Sequence, residues 1–105
     1  MALILEKFEG FEWDDGNSNK NWHLHRVTDG ECEEIFFNRP IIIKFDKLRK
    51  SKEQRFYALE RTDVDRYIYV AFTIRARLLR VVSARNMTRS EERKYEEKAK
   101  RDSNI

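Results

Sequence analysis

A chain of 105 residues has room for one domain and not two, and its 40% apolar residues, with 12% aromatics, suffice to bury a core without disulfides or metal. The 39% of charged residues describe a highly soluble protein, and one cysteine, Cys32, rules out an internal disulfide and any set of thiolates for a structural zinc. The net charge of +3 divides unevenly: the first 46 residues carry 5 basic and 10 acidic groups (−5), the remainder 17 and 9 (+8). That split fits an anionic partner for the later half, either nucleic acid or an acidic protein segment, and it fits a solvated surface equally.

The opening Met1-Ala2-Leu3-Ile4-Leu5 is apolar, but Glu6 interrupts it well before the roughly 20 residues of a membrane span, so no membrane association is expected. A reducing, cytoplasmic setting fits the single cysteine. Phe11 and Trp13 alternate with Glu12 and Asp14, the period of a half-buried strand that Leu3 to Leu5 extend, and a loop follows through Asp15 and Gly16. Asn17 to Arg26 suits a short helix with Lys20, Asn21, Leu24 and His25 at three- and four-residue spacings on one face.

Thr28 and Glu31 have the spacing of a capping box, so a second short helix should follow, with Cys32, Ile35 and Phe36 as its apolar stripe. The only proline, Pro40, follows the end of that helix. Ile41 to Asp46, Gln54 to Arg61, Arg66 to Arg75 and Arg77 to Arg85 are rich in β-branched and aromatic residues and are predicted strands. The last three, joined by Thr62-Asp63-Val64-Asp65 and Arg75-Ala76-Arg77, should form an antiparallel meander with Ile68, Val70, Phe72 and Ile74 on one side. Thr88 and Glu91 make a second capping box, opening a final helix to about Arg101. Only Tyr95 and Ala99 give that helix an apolar contact, so it is expected to be mobile or to lean on a partner.

No glycine-rich phosphate loop, His/Cys metal cluster or nucleophile motif is present, which disfavours nucleotide- and metal-dependent enzymes. The Lys, His, Glu and Arg residues that remain can bind phosphate and move protons, which is the equipment for metal-free RNA cleavage.

Several motifs in one order carry a resemblance. Phe11-Glu12-Trp13-Asp14, Gly16-Asn17, Lys20-Asn21, His25 and Val27 come first, then Glu33-Glu34-Ile35-Phe36-Phe37-Asn38 with Pro40, then Glu53, Arg55 and Tyr57-Ala58-Leu59. Phe72-Thr73-Ile74-Arg75, Arg80-Val81-Val82-Ser83-Ala84-Arg85, Thr88-Arg89, Glu91-Glu92-Arg93 and Tyr95-Glu96-Glu97 complete the set. Over roughly residues 8 to 98 the chain resembles the BrnT family of ribonuclease toxins. The resemblance implies a single α+β domain over residues 1–105 with residues 99–105 as a frayed tail. Its short N-terminal helices and a C-terminal helix would pack on a mostly antiparallel sheet, in a fold akin to the RelE-like toxins. It also implies the toxin of a type II toxin–antitoxin system, an endoribonuclease that needs no metal or other cofactor and inhibits translation. An antitoxin of the BrnA type would neutralise it, and promoter DNA would be bound only through the antitoxin complex; a dimer is compatible with all of this. Four positions depart from the family pattern: Arg26 and Glu60 replace glycines, Ala76 replaces a turn glycine, and Arg49 stands where a histidine is frequent, so catalysis by a second histidine is not expected.

Metal-free cleavage requires a base for the 2′-hydroxyl, cations for the charged phosphate and an acid for the departing 5′-oxygen. Arg85 is the first candidate for phosphate stabilisation, its alternative being a structural salt bridge. Lys20 is a second cation or a base, or else a solvated helix lysine, and His25 exchanges protons or orders the helix end. Glu53 and Arg55, two apart on a strand, share a face as base and phosphate ligand, or orient each other. Arg49, Arg61 and Arg80 are candidate RNA contacts. Trp13 is expected in the core, and Trp22 can stack on a base. The competing function is a non-catalytic module that binds nucleic acid or an acidic partner through its basic strands.

Overall fold

The computed structural model describes residues 8–46 and 53–103; Leu3 to Leu5 and Arg49 lie outside the described residues. The elements in chain order are β1 (Gly10–Phe11), α1 (Lys20–His25), α2 (Asp29–Glu34), a 3-10 turn (Ile35–Phe37), β2 (Ile42–Phe45), β3 (Phe56–Arg61), β4 (Tyr67–Arg75), β5 (Leu78–Asn86) and α3 (Arg89–Ser103). The sheet order is β1-β5-β4-β3-β2, antiparallel throughout except for the parallel pair β1 and β5. The fold is therefore α+β with a mostly antiparallel sheet, and the expected meander is β3-β4-β5.

The first face of the sheet carries the larger core. Ile68, Val70, Phe72, Leu79, Val81 and Ala84 from the strands meet Val27, Cys32, Ile35 and Phe36 from the helical side. The predicted stripe of the second helix is thus fully used, and Ile74 packs at its margin. The capping box forms as its spacing dictates: Thr28 Oγ1 accepts from Glu31 N at 3.0 Å and Thr28 N donates to Glu31 Oε1 at 2.9 Å. Desolvation pushes the Cys32 thiol up to about 12, so it sits in the core as a neutral small hydrophobe. Trp13 is half-buried against the same core and donates from its indole nitrogen to Glu33 Oε2 at 2.7 Å.

Two elements are shorter than expected. The first strand is limited to Gly10–Phe11, because past Glu12 the backbone turns through Asp14. The first helix starts at Lys20 rather than Asn17, since Asn17 is buried in the loop: its amide donates to Glu12 O (3.0 Å) and Val81 O (3.1 Å) and its Oδ1 accepts from Asp14 N (2.8 Å). Asn19, at φ 59, then turns the chain into the helix, and Arg26, at φ 56, ends it. That left-handed position is one where glycine is favoured, and Arg26 adopts it with a side chain in place.

The second face is covered in part by α3. Thr88 and Glu91 form the second capping box, and Tyr95, fully buried, joins Ile42, Leu59 and Met87 with Ala99 alongside. The helix is held more firmly than its composition suggests, and it runs to Ser103, through residues expected to fray. Its anchor is polar as well as apolar. The Tyr95 hydroxyl donates to one carboxylate oxygen of Glu60, which also accepts from Arg61 N at 2.8 Å. Glu60 belongs to β3, and its second oxygen is buried without a partner among the described residues.

Burial raises the pKa of Glu60 against the opposing pull of these hydrogen bonds. A folded pKa above the unfolded one means that the stability supplied by the neutral acid is complete below the unfolded value. It is lost as pH rises through the folded value. The stability of the natural protein relative to Glu60→Gln should thus fall as pH rises above the ordinary glutamate range, as read from urea titrations of both proteins. A difference that is flat in pH would refute the assignment.

The two-residue turn between β4 and β5 places Ala76 at φ 48 and Arg77 at φ 67. This mirror-image turn matches strand twist but strains any side chain with a Cβ. Ala76→Gly is expected to stabilise the fold by about 1 kcal/mol, seen as a higher urea midpoint; no gain would mean the turn carries no such strain.

Candidate active site

One extra residue in β5 decides which side chains share the second face. Ala71 pairs with Ser83 but Phe72 pairs with Val81, so Val82 is left over as a bulge while β4 runs straight. Side chains alternate with period two, and without the bulge Arg80 and Arg85 would point to opposite sides. With it, Arg80, Ser83 and Arg85 align with Thr73, Ala71 and Tyr69 of β4, and Leu79, Val81 and Ala84 all reach the core. The first helix grips this irregularity: Asn21, buried, accepts from Ala84 N at 2.8 Å, and Lys20 Nζ lies 3.5 Å from Val82 O.

At the hairpin end of this face a set of guanidinium and carboxylate groups assembles. Arg80 donates in a fork to Asp14, from Nη1 to Oδ2 at 2.8 Å and from Nη2 to Oδ1 at 3.0 Å, and from Nη1 to Glu12 Oε1 at 3.1 Å. Arg75 donates to both oxygens of Glu53, from Nη2 to Oε1 at 3.0 Å and from Nε to Oε2. The Arg80 bond holds Asp14 below the usual carboxylate range, and the Arg75 bond does the same for Glu53, with the charges of Arg55 and Arg80 adding to it. Gly16 allows the close approach: a Cβ there would lie 3.0 Å from Arg80 Nη2 and 3.1 Å from Asp14 Oδ1. The bonds of Asn17 fix the Asp14 loop to β5 independently of the ion pairs.

Of the residues expected from sequence, Glu53, Arg55 and Arg80 gather at or beside this cluster, and Lys20 on α1 reaches Val82 O, two residues along β5 from Arg80. Arg85 lies further along the same face and is engaged by α3: it forks onto Glu91 at 2.8 and 3.0 Å, and its guanidinium sits 3.9 Å from the Tyr69 ring centroid. Arg61 is at the far end, between the Tyr67 and Tyr95 rings and 3.5 Å from Asp65. His25 is exposed, and its backbone oxygen, like that of Arg26, accepts from Arg66, whose guanidinium also pairs with Glu31 at 3.2 Å. Trp22 is 42% exposed with the Arg26 guanidinium 5.2 Å from its ring.

Three members of the cluster are absent from the candidates read from sequence: Arg75, Glu12 and Asp14. The signal was there, since Glu12 and Asp14 alternate with the core-facing Phe11 and Trp13, and Arg75 lies two residues beyond Thr73 on the same face of β4. What the sequence lacks is any mark that residues so far apart meet.

A guanidinium fork that holds a carboxylate can hold a phosphate in the same plane, because both offer paired oxygens. The cluster can therefore exchange its internal carboxylates for the phosphates of a nucleic acid. Among the described residues no group of three or more His, Cys, Asp or Glu side chains is disposed to bind a metal ion, and no helix is long and apolar enough to cross a membrane. No curated protein matches the chain. Residues 13–91 match the ribonuclease toxin BrnT of type II toxin–antitoxin systems, a span that includes Asp14, the bulge in β5, the cluster around Arg80 apart from Glu12, and the Arg85 to Glu91 pair. A match over so much of the chain shows that this protein belongs to the BrnT family of ribonuclease toxins of type II toxin–antitoxin systems.

Proposed function

We propose that the chain is a metal-independent endoribonuclease whose cleavage centre is the cluster of Glu53, Arg55, Arg75 and Arg80, with Lys20 at its rim. Cleavage of RNA in this way inhibits translation, and a BrnA-like antitoxin neutralises it; any binding of promoter DNA belongs to the toxin–antitoxin complex. The observation that carries the reading is the gathering of guanidinium groups and exchangeable carboxylates at the hairpin end of one sheet face, where α3 does not reach Arg75 or Arg80.

The reaction is an intramolecular transesterification. Glu53, whose pKa Arg75 lowers in the free chain and which regains basicity once a phosphate displaces it from that guanidinium, takes the proton of the 2′-hydroxyl. The 2′-oxygen bonds to phosphorus, and Arg75, Arg80 and Arg55 stabilise the charge that accumulates on the phosphate oxygens. The bond from phosphorus to the 5′-oxygen breaks, that oxygen takes a proton from the Lys20 ammonium, and water restores both groups. The products are a 2′,3′-cyclic phosphate and a 5′-hydroxyl. Arg85 on this reading fastens α3 to the sheet, and His25 orders the end of α1.

Purified protein freed of antitoxin should cut RNA in the presence of EDTA, and a single 2′-deoxy substitution at the cut position should block that cut. Binding of the RNA with no cleavage at enzyme excess would favour the non-catalytic module instead.

A further inference from the structure

The hydroxyl of Thr73 lies on this face and takes no part in the pairs described above. Thr73 is fully buried, and its Oγ1 has no hydrogen-bond partner among the described residues. It stands directly opposite Arg80 in the β4–β5 register, two residues before Arg75 on the same side of β4. Carried one residue past the Phe56–Phe72 pair, the β3–β4 register brings Arg55 beside it on the other flank. A buried hydroxyl without a partner is costly in a folded protein, and Ser, Thr or a plain apolar residue such as Val would fit a strand equally well. Its place beside Arg80, Arg75 and Arg55 suits a ligand that accepts hydrogen bonds and carries negative charge.

We infer that Thr73 and Arg80 together form a seat for one phosphate of the RNA strand, whose Arg80 half is engaged in the free chain by the carboxylates of Glu12 and Asp14. The inference rests on the proposed cleavage centre and deepens it. The hydroxyl donates to a phosphate oxygen while the guanidinium binds the others. Glu12 and Asp14 keep the seat near neutrality until a phosphate displaces them from Arg80, since three arginines and three acids share this end of the face. Asp14 can leave without unravelling its loop, because Asn17 holds that loop to the backbone of β5.

The test uses a fluorescently labelled oligonucleotide made wholly of 2′-deoxy residues, which cannot be cut, with affinity read by anisotropy. Thr73→Val should weaken binding about tenfold, the value of one hydrogen bond to a charged group, and should at the same time raise the melting temperature, because it removes an unpartnered polar group. Thr73→Ser should restore affinity to within about threefold. Asp14→Asn, which keeps the acceptor for Gly16 N, should tighten binding, whereas Glu97→Gln on the exposed side of α3 should leave it unchanged. Unaltered affinity in Thr73→Val, or weaker binding joined to a lower melting temperature, overturns the seat. Were Thr73→Val to misfold, Asp14→Asn tightening no more than Glu97→Gln would overturn it alone. These outcomes are separate from the cleavage reading, which fails if the natural protein leaves RNA intact whatever the deoxy probe does.

Discussion

Arg80→Ala is expected to lower the rate of RNA cleavage about 100-fold or more while leaving a folded protein. A preorganised cation aimed at developing charge is worth most where its geometry is fixed, and Arg80 is held by its place in β5 opposite Thr73 with its side chain only 16% exposed. Its loss leaves the Asp14 loop tied by Asn17 and leaves the core unchanged, so the circular dichroism spectrum should match that of the natural protein. Arg80→Lys keeps the charge and loses the planar fork, so it should fall between the two. A variant without Arg80 that cuts at the natural rate would remove this residue from the chemistry.

The largest effect on stability is expected at Phe72. It is fully buried in the middle of β4, stacks on Phe56 with centroids 5.6 Å apart, and meets Phe36 edge-on at 5.1 Å. It thus joins the sheet to the turn that follows α2, and its neighbours belong to three elements that cannot all close on a void. Phe72→Ala should cost about 3–5 kcal/mol, a large share of the roughly 5–15 kcal/mol available to a domain of this size. Urea unfolding should show a much lower midpoint; a loss below about 1 kcal/mol would mean that the aromatic cluster is not the keystone of the core.

Local rules were readable wherever the determinant is itself local. Both capping boxes, the stripe of Cys32, Ile35 and Phe36, and the alternation of Ile68, Val70, Phe72 and Ile74 depend on residues a few positions apart, and they form as their spacing requires. The start of α1 was misread because helical spacing is shared by a loop whose asparagine turns inward, and only the backbone of β5 makes that turn favourable for Asn17. The strength of the α3 anchor was underestimated for a similar reason. A hydrophobic count gives no credit to a tyrosine whose hydroxyl meets a buried carboxylate.

The cluster was half legible. Glu53, Arg55 and Arg80 could be singled out as residue types suited to the chemistry, but their company depends on a bulge at Val82 that no glycine announces. The charge split along the chain proved informative in a different sense from the one expected. Part of it is neutralised internally, as acids of the first half meet arginines of the second: Glu12 and Asp14 with Arg80, Glu9 with Arg77, Glu31 with Arg66. Those pairs build the fold, and at Arg80 they also stand where a phosphate would go. Arg85, the first candidate for phosphate stabilisation, pairs with Glu91 of α3 and lies over the Tyr69 ring.

The central claim is that RNA is cut at the hairpin end of the second sheet face and not beside Arg85. Single-turnover cleavage of one end-labelled RNA in EDTA by Arg80→Ala and Arg85→Ala, each normalised to its folded fraction, tests it most directly. The account predicts fragments ending in 2′,3′-cyclic phosphate, a rate about 100-fold lower for Arg80→Ala, and a rate within a few-fold of the natural protein for Arg85→Ala. Folded Arg85→Ala as slow as Arg80→Ala, or Arg80→Ala at full rate, would contradict it.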